Sequence, residues 1–383
     1  SIFSRNCSEW AISDMGILAA RAVSVPIYAT NSKEEAEYIV NDAEVKVVFV
    51  GDQEQYDRIA QIIPDNQYLK LIVAMKDNIN IAGDKSVYLT QLIEKGRQLA
   101  NDKDFENRIN NANPGDIVTI IYTSGTTGNP KGAVHTHRSF LCGIFPAWRF
   151  PEAGPHYTSL SILPLSHIFE RLWSYGCMCN GVKIGYCPDP ANFLEYMNHF
   201  RPHFMTSVPR MWDKVYGTIH ANMKNAGGMK YKMFEWAKKV GIQAYRNNKY
   251  GLKYRIADKL VFSKIRALLG AENCNIYHVG GSPFAPEVNE FFQAAGINIF
   301  MGYGLTELFP VCVGFRDNAI PGYCGVLLSL CDARISDEGE VQLKGGMCMT
   351  EYYKNPEATK EIFTEDGWLK TGDVGELHYV EKN

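Results

Sequence analysis

The first third of the chain alternates short, uniformly apolar runs with amphipathic ones. Residues 24–29 are compact and β-branched, and Ser32 opens a helix with Glu35 three positions on, a spacing at which hydroxyl and carboxylate cap each other's backbone. Lys46-Val47-Val48-Phe49-Val50 reads as a buried strand ended by Gly51, 53–63 as a helix stopped by Pro64, and 69–75 as a strand again. Strand, helix and strand at this spacing predict parallel α/β layering. From 76 to 116 the chain turns polar and asparagine-rich, which predicts one helix framed by loops. An apolar strand, 117–122, then runs into a loop of glycine, serine and threonine. Beyond Pro321 the rhythm shortens to strands at 333–336, 340–344 and 368–379, with Asp337-Glu338-Gly339 as a turn. A boundary near residue 315 is therefore expected, dividing an α/β unit (1–314) from a β-rich unit (315–383).

Composition adds exclusions. With 46% hydrophobic and 21% charged residues, the 383-residue chain has the make-up of a globular protein of more than one sub-structure. A net charge of −3 gives no global attraction to nucleic acid. No apolar run approaches the roughly 18 residues of a spanning helix. Ten cysteines scattered through a chain this long do not suggest a disulfide scaffold. Cys177-x-Cys179 with Cys187 lacks the CxxC spacing of zinc sites, so free thiols in a reducing, cytoplasmic compartment are expected. Ser1-Ile2-Phe3 carries no signal-peptide pattern and reads like the interior of a longer protein. Charge is uneven, however. Residues 224–266 hold twelve Lys or Arg against Glu235 and Asp258, with aromatic residues interleaved. That segment is either a solvated helix face over an aromatic underside or a peripheral contact for anionic membrane or a phosphate-bearing substrate.

Three stretches carry chemistry. In Tyr122-Thr123-Ser124-Gly125-Thr126-Thr127-Gly128-Asn129-Pro130-Lys131-Gly132, two glycines permit tight turning and successive N–H groups can form an anion nest. Four hydroxyls add donors and Lys131 adds a charge at the loop's end, so the stretch can wrap a polyphosphate. It is not a Walker A loop, because only two residues separate Gly125 from Gly128 and Gly132 follows the lysine. In the second stretch a buried strand ends in Gly302-Tyr303-Gly304, followed by Leu305-Thr306-Glu307. Tyr303 can stack on a purine, Thr306 can donate to phosphate and Glu307 can serve as a hard oxygen ligand for magnesium. In isolation such a tyrosine is more often simple packing and such a glutamate a surface charge. Just upstream, Gly280-Gly281-Ser282 is another strand end open to a flat ring. The third stretch is Thr371-Gly372-Asp373, where a carboxylate can accept from vicinal hydroxyls.

In this order the three stretches resemble the phosphate loop, adenine-binding strand end and ribose-binding Asp of the adenylate-forming superfamily. Leu163-Pro164-Leu165-Ser166-His167-Ile168-Phe169-Glu170-Arg171 resembles its long-chain fatty acid–CoA ligase branch, as do Ser8-Glu9-Trp10-Ala11 and Tyr352-Tyr353-Lys354-Asn355-Pro356-Glu357-Ala358-Thr359. The resemblance spans essentially the whole chain. It implies an αβαβα core of two mixed or parallel sheets with a distorted-barrel β sub-domain. It also implies a two-step reaction of a long-chain fatty acid with ATP and coenzyme A, assisted by Mg2+. On it, Thr123, Ser124, Gly125, Thr126, Thr127, Gly128 and Lys131 would hold phosphates, and Gly281, Ser282, Gly302, Tyr303 and Gly304 would enclose adenine. Glu307 with Thr123 would hold the metal, Thr306 would assist phosphate binding, Asp373 would take ribose, and His167 would lie beside the acyl carboxylate. Lys131, Thr306, Glu307 and His167 would thus carry the catalytic roles. Arg171 falls where some relatives place a tryptophan gate over the acyl tunnel, with Trp173 two residues on. The family's small C-terminal domain, which carries a further catalytic lysine, would lie beyond Asn383. Rival readings are an adenylating enzyme for another carboxylic acid and a nucleotide- and acyl-binding fragment without full turnover.

Overall fold

The computed structural model describes residues 1–123, 128–148, 153–316 and 319–379. Five strands, β1 (Ile2–Ser4), β2 (Pro26–Tyr28), β3 (Val47–Val50), β4 (Leu71–Ala74) and β5 (Ser86–Tyr88), form a parallel sheet in the order β2-β1-β3-β4-β5. Successive side chains on a strand point to opposite faces, and this sheet is buried on both. Val48, Val50, Ile72 and Ala74 face the helices Lys33–Asp42 and Gln53–Ile62, while Phe49 and Val73 face Trp10 and Leu89 on the other side. The expected helix start at Ser32 is present as a full capping box with Glu35.

A hairpin follows, β6 (Ile117–Thr123) antiparallel to β7 (Lys131–Thr136). It touches the first sheet through a parallel bridge between Ser24 and Thr119. The second sheet comprises β8 (Thr158–Ser161), β9 (Lys183–Tyr186), β10 (Phe204–Ser207), β11 (Ile276–Val279), β12 (Ile299–Tyr303), β13 (Cys312–Val313) and β14 (Val326–Leu327), in the order β14-β13-β12-β11-β10-β8-β9. It is parallel except at β13 and β14. Alternation again divides its residues. Met205, Tyr277 and Ile299 pack on the helical wall of Trp212, Phe234 and Phe292, while Phe204, Ile276 and Phe300 face Trp173 and Cys177 of the helix Ile168–Cys179. That helix and His137–Ala147 lie between the sheets, so the layers run α, β, α, β, α, as the resemblance implies.

Two expectations change, for the polar stretch and the barrel, and two details are added, for the 117–122 strand and β14. The polar stretch 76–116 holds β5 and two helices, Leu89–Leu99 and Asp102–Asn110; a three-residue edge strand is too short to show a period. The 117–122 strand belongs to an antiparallel hairpin, because its partner is the segment after the loop. The β-rich unit is an open three-stranded antiparallel sheet of β15 (Cys331–Ile335), β16 (Glu340–Gly345) and β17 (Leu369–Val374), not a barrel, among the described residues. It also includes a helix, Pro356–Ile362, whose start was legible: Asn355 accepts from the Ala358 N–H and Pro356 occupies the first turn. β14 lies beyond residue 314 yet pairs with β13 in the large sheet.

Candidate functional site

Parallel sheets concentrate ligand sites at the carboxyl ends of their strands. Here Leu163 and Pro164 follow β8, Val208 follows β10, Gly280 and Gly281 follow β11, and Gly302 and Tyr303 end β12; all line one cavity of about 780 Å³. Gly280 lies in a close approach, since a Cβ there would stand 3.0 Å from the Gly302 carbonyl oxygen, tighter than most side chains come. Gly281 has φ +84°, a conformation that side chains rarely adopt.

At the cavity's polar end the hairpin delivers Thr123 and Lys131, which face each other across the ladder. The Thr123 hydroxyl lies 3.5 Å from the Lys131 carbonyl oxygen. The Lys131 ammonium stands 5.4 Å from the Tyr352 ring centre, a cation–π contact. The Tyr352 hydroxyl donates to Glu307 Oε1 (2.5 Å), and burial together with that carboxylate pushes the phenol's pKa up. Glu307 is the one carboxylate lining the cavity among the described residues. Its backbone is fixed by a Met349 N–H bond of 2.7 Å to its carbonyl. The Thr306 carbonyl accepts from Nε2 of His135 at 2.7 Å, which ties the Thr306–Glu307 turn to β7. His135 is buried, and desolvation lowers its pKa to about 4.

On the opposite wall the Tyr303 hydroxyl donates to Asp373 Oδ2 at 2.6 Å. Asp373 is exposed and joins the site through that bond. His167 caps the helix Ile168–Cys179, its Nδ1 accepting from the Phe169 N–H at 3.2 Å. Burial lowers its pKa, so the neutral ring has Nε2–H left to offer. Farther in, the cavity turns apolar, walled by Ile144, Ala147, Trp148, Leu172, Trp173 and Val313. The Trp148 and Trp173 rings are 5.3 Å apart.

The structure thus brings together Thr123, Lys131, His167, Gly281, Gly302, Tyr303, Gly304, Thr306 and Glu307. Gly128 and Ser282 are exposed and do not line the cavity. Ser124, Gly125, Thr126 and Thr127 lie outside the described residues. Arg171 does not reach the cavity; its guanidinium is fully buried and chelates Asp14, with Nε and Nη2 at 2.9 and 2.7 Å. Trp173 does reach it. Sequence reasoning gave no role to Tyr352 or Trp148. Tyr352 stands 45 positions from Glu307, and the distance is closed by the bridge between Leu308 and Cys348, the Met349–Glu307 backbone bond and the bridge between Ala133 and Tyr352.

Comparison with known proteins follows the same line. The long-chain-fatty-acid–CoA ligase FadD15 of Mycobacterium bovis is 34% identical over 98% of this chain and 62% of its own length. The long-chain-fatty-acid–CoA ligase ACSBG2 of Rattus norvegicus is 32% identical over 97% of this chain and 59% of its own. The chain therefore spans about three-fifths of the length of these curated relatives. The inhibitor-bound N-terminal domain of FACL13 from Mycobacterium tuberculosis superposes with a TM-score of 0.69 at 21% identity, covering 98% of this chain and 83% of that one, and so shares the fold. The family described as AMP-binding enzyme matches residues 1–353 of 383, which leaves little of the molecule outside it: the protein belongs to the AMP-binding enzyme family.

Proposed function

We propose that the chain activates a long-chain fatty acid with ATP and passes the acyl group to coenzyme A. The observation that carries this reading is one continuous cavity with Lys131 and Glu307 at its polar end and the Trp148–Trp173 wall at its apolar end. The names of the relatives support the acyl class. A carboxylate oxygen would attack the α-phosphorus of ATP, expelling pyrophosphate, and the thiol sulfur of coenzyme A would then attack the acyl carbon, expelling AMP. The first step needs no general base, because a carboxylic acid of pKa about 4–5 is already ionised at neutral pH. Lys131 stabilises charge on phosphate oxygens, and neutral His167 orients the carboxylate through Nε2–H. The ring of Tyr303 offers a stacking face for adenine beside the open ends of β11 and β12, and Asp373 accepts from ribose.

Magnesium fits the donor set, since this ion is commonly held by one carboxylate, a hydroxyl and substrate phosphates, and Glu307 and Thr123 line the same cavity. When bound, it neutralises phosphate charge. Residues 1–314 and 315–383 would act as the larger and smaller units, the smaller contributing Asp373. Among the described residues no helix is long and apolar enough to cross a membrane. The basic helices over 224–266 are a candidate peripheral contact for anionic membrane. Arg246, Arg266 and Lys238 are engaged with Glu290, Asp258 and Glu235, so the remaining cations would carry that contact.

ATP–pyrophosphate exchange with fatty, aromatic and amino acids tests the reading. Exchange is expected with long-chain fatty acids only. Exchange driven by an aromatic or amino acid instead would reassign the acyl pocket.

A further inference from the structure

A second cavity, of about 760 Å³, opens on the outer helical wall away from the nucleotide-facing strand ends. It lies among the helices Phe193–Phe200, Pro209–Ala226, Gly228–Arg246 and Ser263–Leu269. Its depth is made by Val215, Ile219, Phe234, Val261, Ile265 and Leu269, each at most 8% exposed. These residues also belong to the core of the second sheet, so the cavity is a recess in packed structure rather than a surface dimple. At its lip Leu194, Leu260 and Leu268 are 45%, 39% and 66% exposed. Globular surfaces seldom leave large aliphatic side chains open around an apolar recess without a ligand to cover them.

The charges at the lip are as specific as its depth. Lys214, Lys230 and Lys264 come from three different helices and border the cavity, against the single carboxylate of Glu195. Among the described residues none of these three ammonium groups has a carboxylate within ion-pairing distance. The neighbouring cations Lys238, Arg246 and Arg266 do have such partners; Lys230 and Lys264 of the basic segment, with Lys214 just before it, are the cations without one that border this cavity.

We propose that this cavity is a second ligand site, for a free single-chain anionic amphiphile such as a long-chain carboxylate. The alkyl chain fills the recess and the anionic head is held by Lys214, Lys230 and Lys264. The recess favours a monomeric ligand over a bilayer face, because its apolar walls lie below the lip where a planar surface does not reach. A nucleotide does not match walls of aliphatic and phenyl groups.

The test is palmitate binding to the intact chain below micelle-forming concentration, read as stoichiometry by native mass spectrometry and as affinity by calorimetry. Palmitate should occupy one equivalent more in the parent than in the K214E/K230E/K264E variant, whatever the parent's total. Counting this difference keeps the result independent of whether the nucleotide-side cavity also takes palmitate. Across laurate, myristate and palmitate the lost site should gain roughly tenfold in affinity per two added methylenes, as area burial predicts. Hexadecanol, lacking the charge, should bind parent and variant alike. Met233→Trp, which narrows the recess and leaves the lysines, should weaken the same site for both palmitate and hexadecanol. Equal palmitate stoichiometry in parent and triple variant overturns the proposal. So does a triple variant that loses binding to anionic phospholipid vesicles alone, since that outcome assigns the lysines to membrane contact.

Discussion

Two clusters of hydrogen-bonded charged and phenolic groups occupy this chain, and they differ in what they leave over. In the inner cluster, Asp14 accepts from Arg171 twice, from Ser24 and from Tyr175, while Arg171 Nη1 donates to Thr119. Both charged side chains are wholly excluded from solvent, and Trp10, Phe140 and Tyr175 place rings against the guanidinium. The bond capacity of the Asp14 carboxylate is used. At the cavity, by contrast, Lys131 and Glu307 stay partly exposed, joined only through the buried Tyr352, whose ring meets the ammonium and whose hydroxyl meets the carboxylate, and Tyr303 holds an exposed Asp373 by a single hydroxyl. Saturated polar groups in a dry interior fix helices to one another. Groups with spare donors and acceptors at a cavity wall are the ones a ligand can engage.

The sharpest break in this comparison is Asp14→Ala. Removing one partner of a buried ion pair leaves the other charge uncompensated, which costs about 3–5 kcal/mol. We expect a loss of that size in denaturant-derived stability, with ATP affinity per folded molecule unchanged. Adding Arg171→Met to Asp14→Ala should recover part of the loss, because a flexible apolar chain suits the surrounding rings. A loss below 1 kcal/mol would place the cluster with the spare-capacity group.

His135 stands between the two clusters, buried like the first and bonded to the turn that carries the second. Its folded-state pKa is about 4 against an ordinary 6.5. Below pH 6.5 the unfolded chain takes up a proton that the folded chain refuses, so stability falls as pH drops from 6.5 toward 4 and is fully present above that window. The loss is on the order of 3 kcal/mol. The parent should therefore lose about that much more than His135→Gln over the same range, measured by denaturant titration at each pH. Parallel profiles would mean that His135 is protonated in the fold.

Lys131→Ala tests the open cluster directly. One charge-assisted phosphate contact is worth roughly 1.5–3 kcal/mol, so ATP affinity by calorimetry should fall by that amount while the melting temperature holds. A lowered melting temperature with unchanged affinity would make the Tyr352 contact structural.

The same contrast explains what the sequence disclosed. Glycine-rich strand ends, a loop closed by a lysine and a capping box are local signatures, and the turns around Gly281 and Tyr303 and the helix at Ser32 followed from them. Parallel layering in the first third followed from apolar runs of the right length, whereas the five-layer order came from the family resemblance. What stayed hidden depends on pairs far apart in the chain. Asp14 and Arg171 are separated by 157 positions, and a buried arginine in a run of apolar residues resembles a pocket residue until its partner is seen. Tyr352 was visible as part of a motif, but its bond to Glu307 arises when the segment after β16 pairs with Glu307 and Leu308 and crosses the hairpin at Ala133. β5 was missed because its Ser-Val-Tyr contains a single aliphatic residue, and its strand form comes from pairing with β4.

The smallest expected effect bears on whether Asp373 is held in reserve. In the structure its Oδ2 accepts from Tyr303, so a ribose hydroxyl would have to share or displace that bond. Tyr303→Phe keeps the ring that would stack on adenine and removes only the hydroxyl. The bond is exposed and worth about 0.5–1.5 kcal/mol net, so stability should change little. AMP affinity should stay level or tighten by at most about tenfold, because less has to be undone before ribose binds. Asp373→Ala should instead weaken AMP and leave pyrophosphate binding untouched. Calorimetry with AMP and with pyrophosphate on both variants separates the possibilities. Should Tyr303→Phe weaken AMP as much as Asp373→Ala does, the tyrosine hydroxyl itself holds the nucleotide, and the bond to Asp373 serves to aim it rather than to keep the carboxylate in reserve.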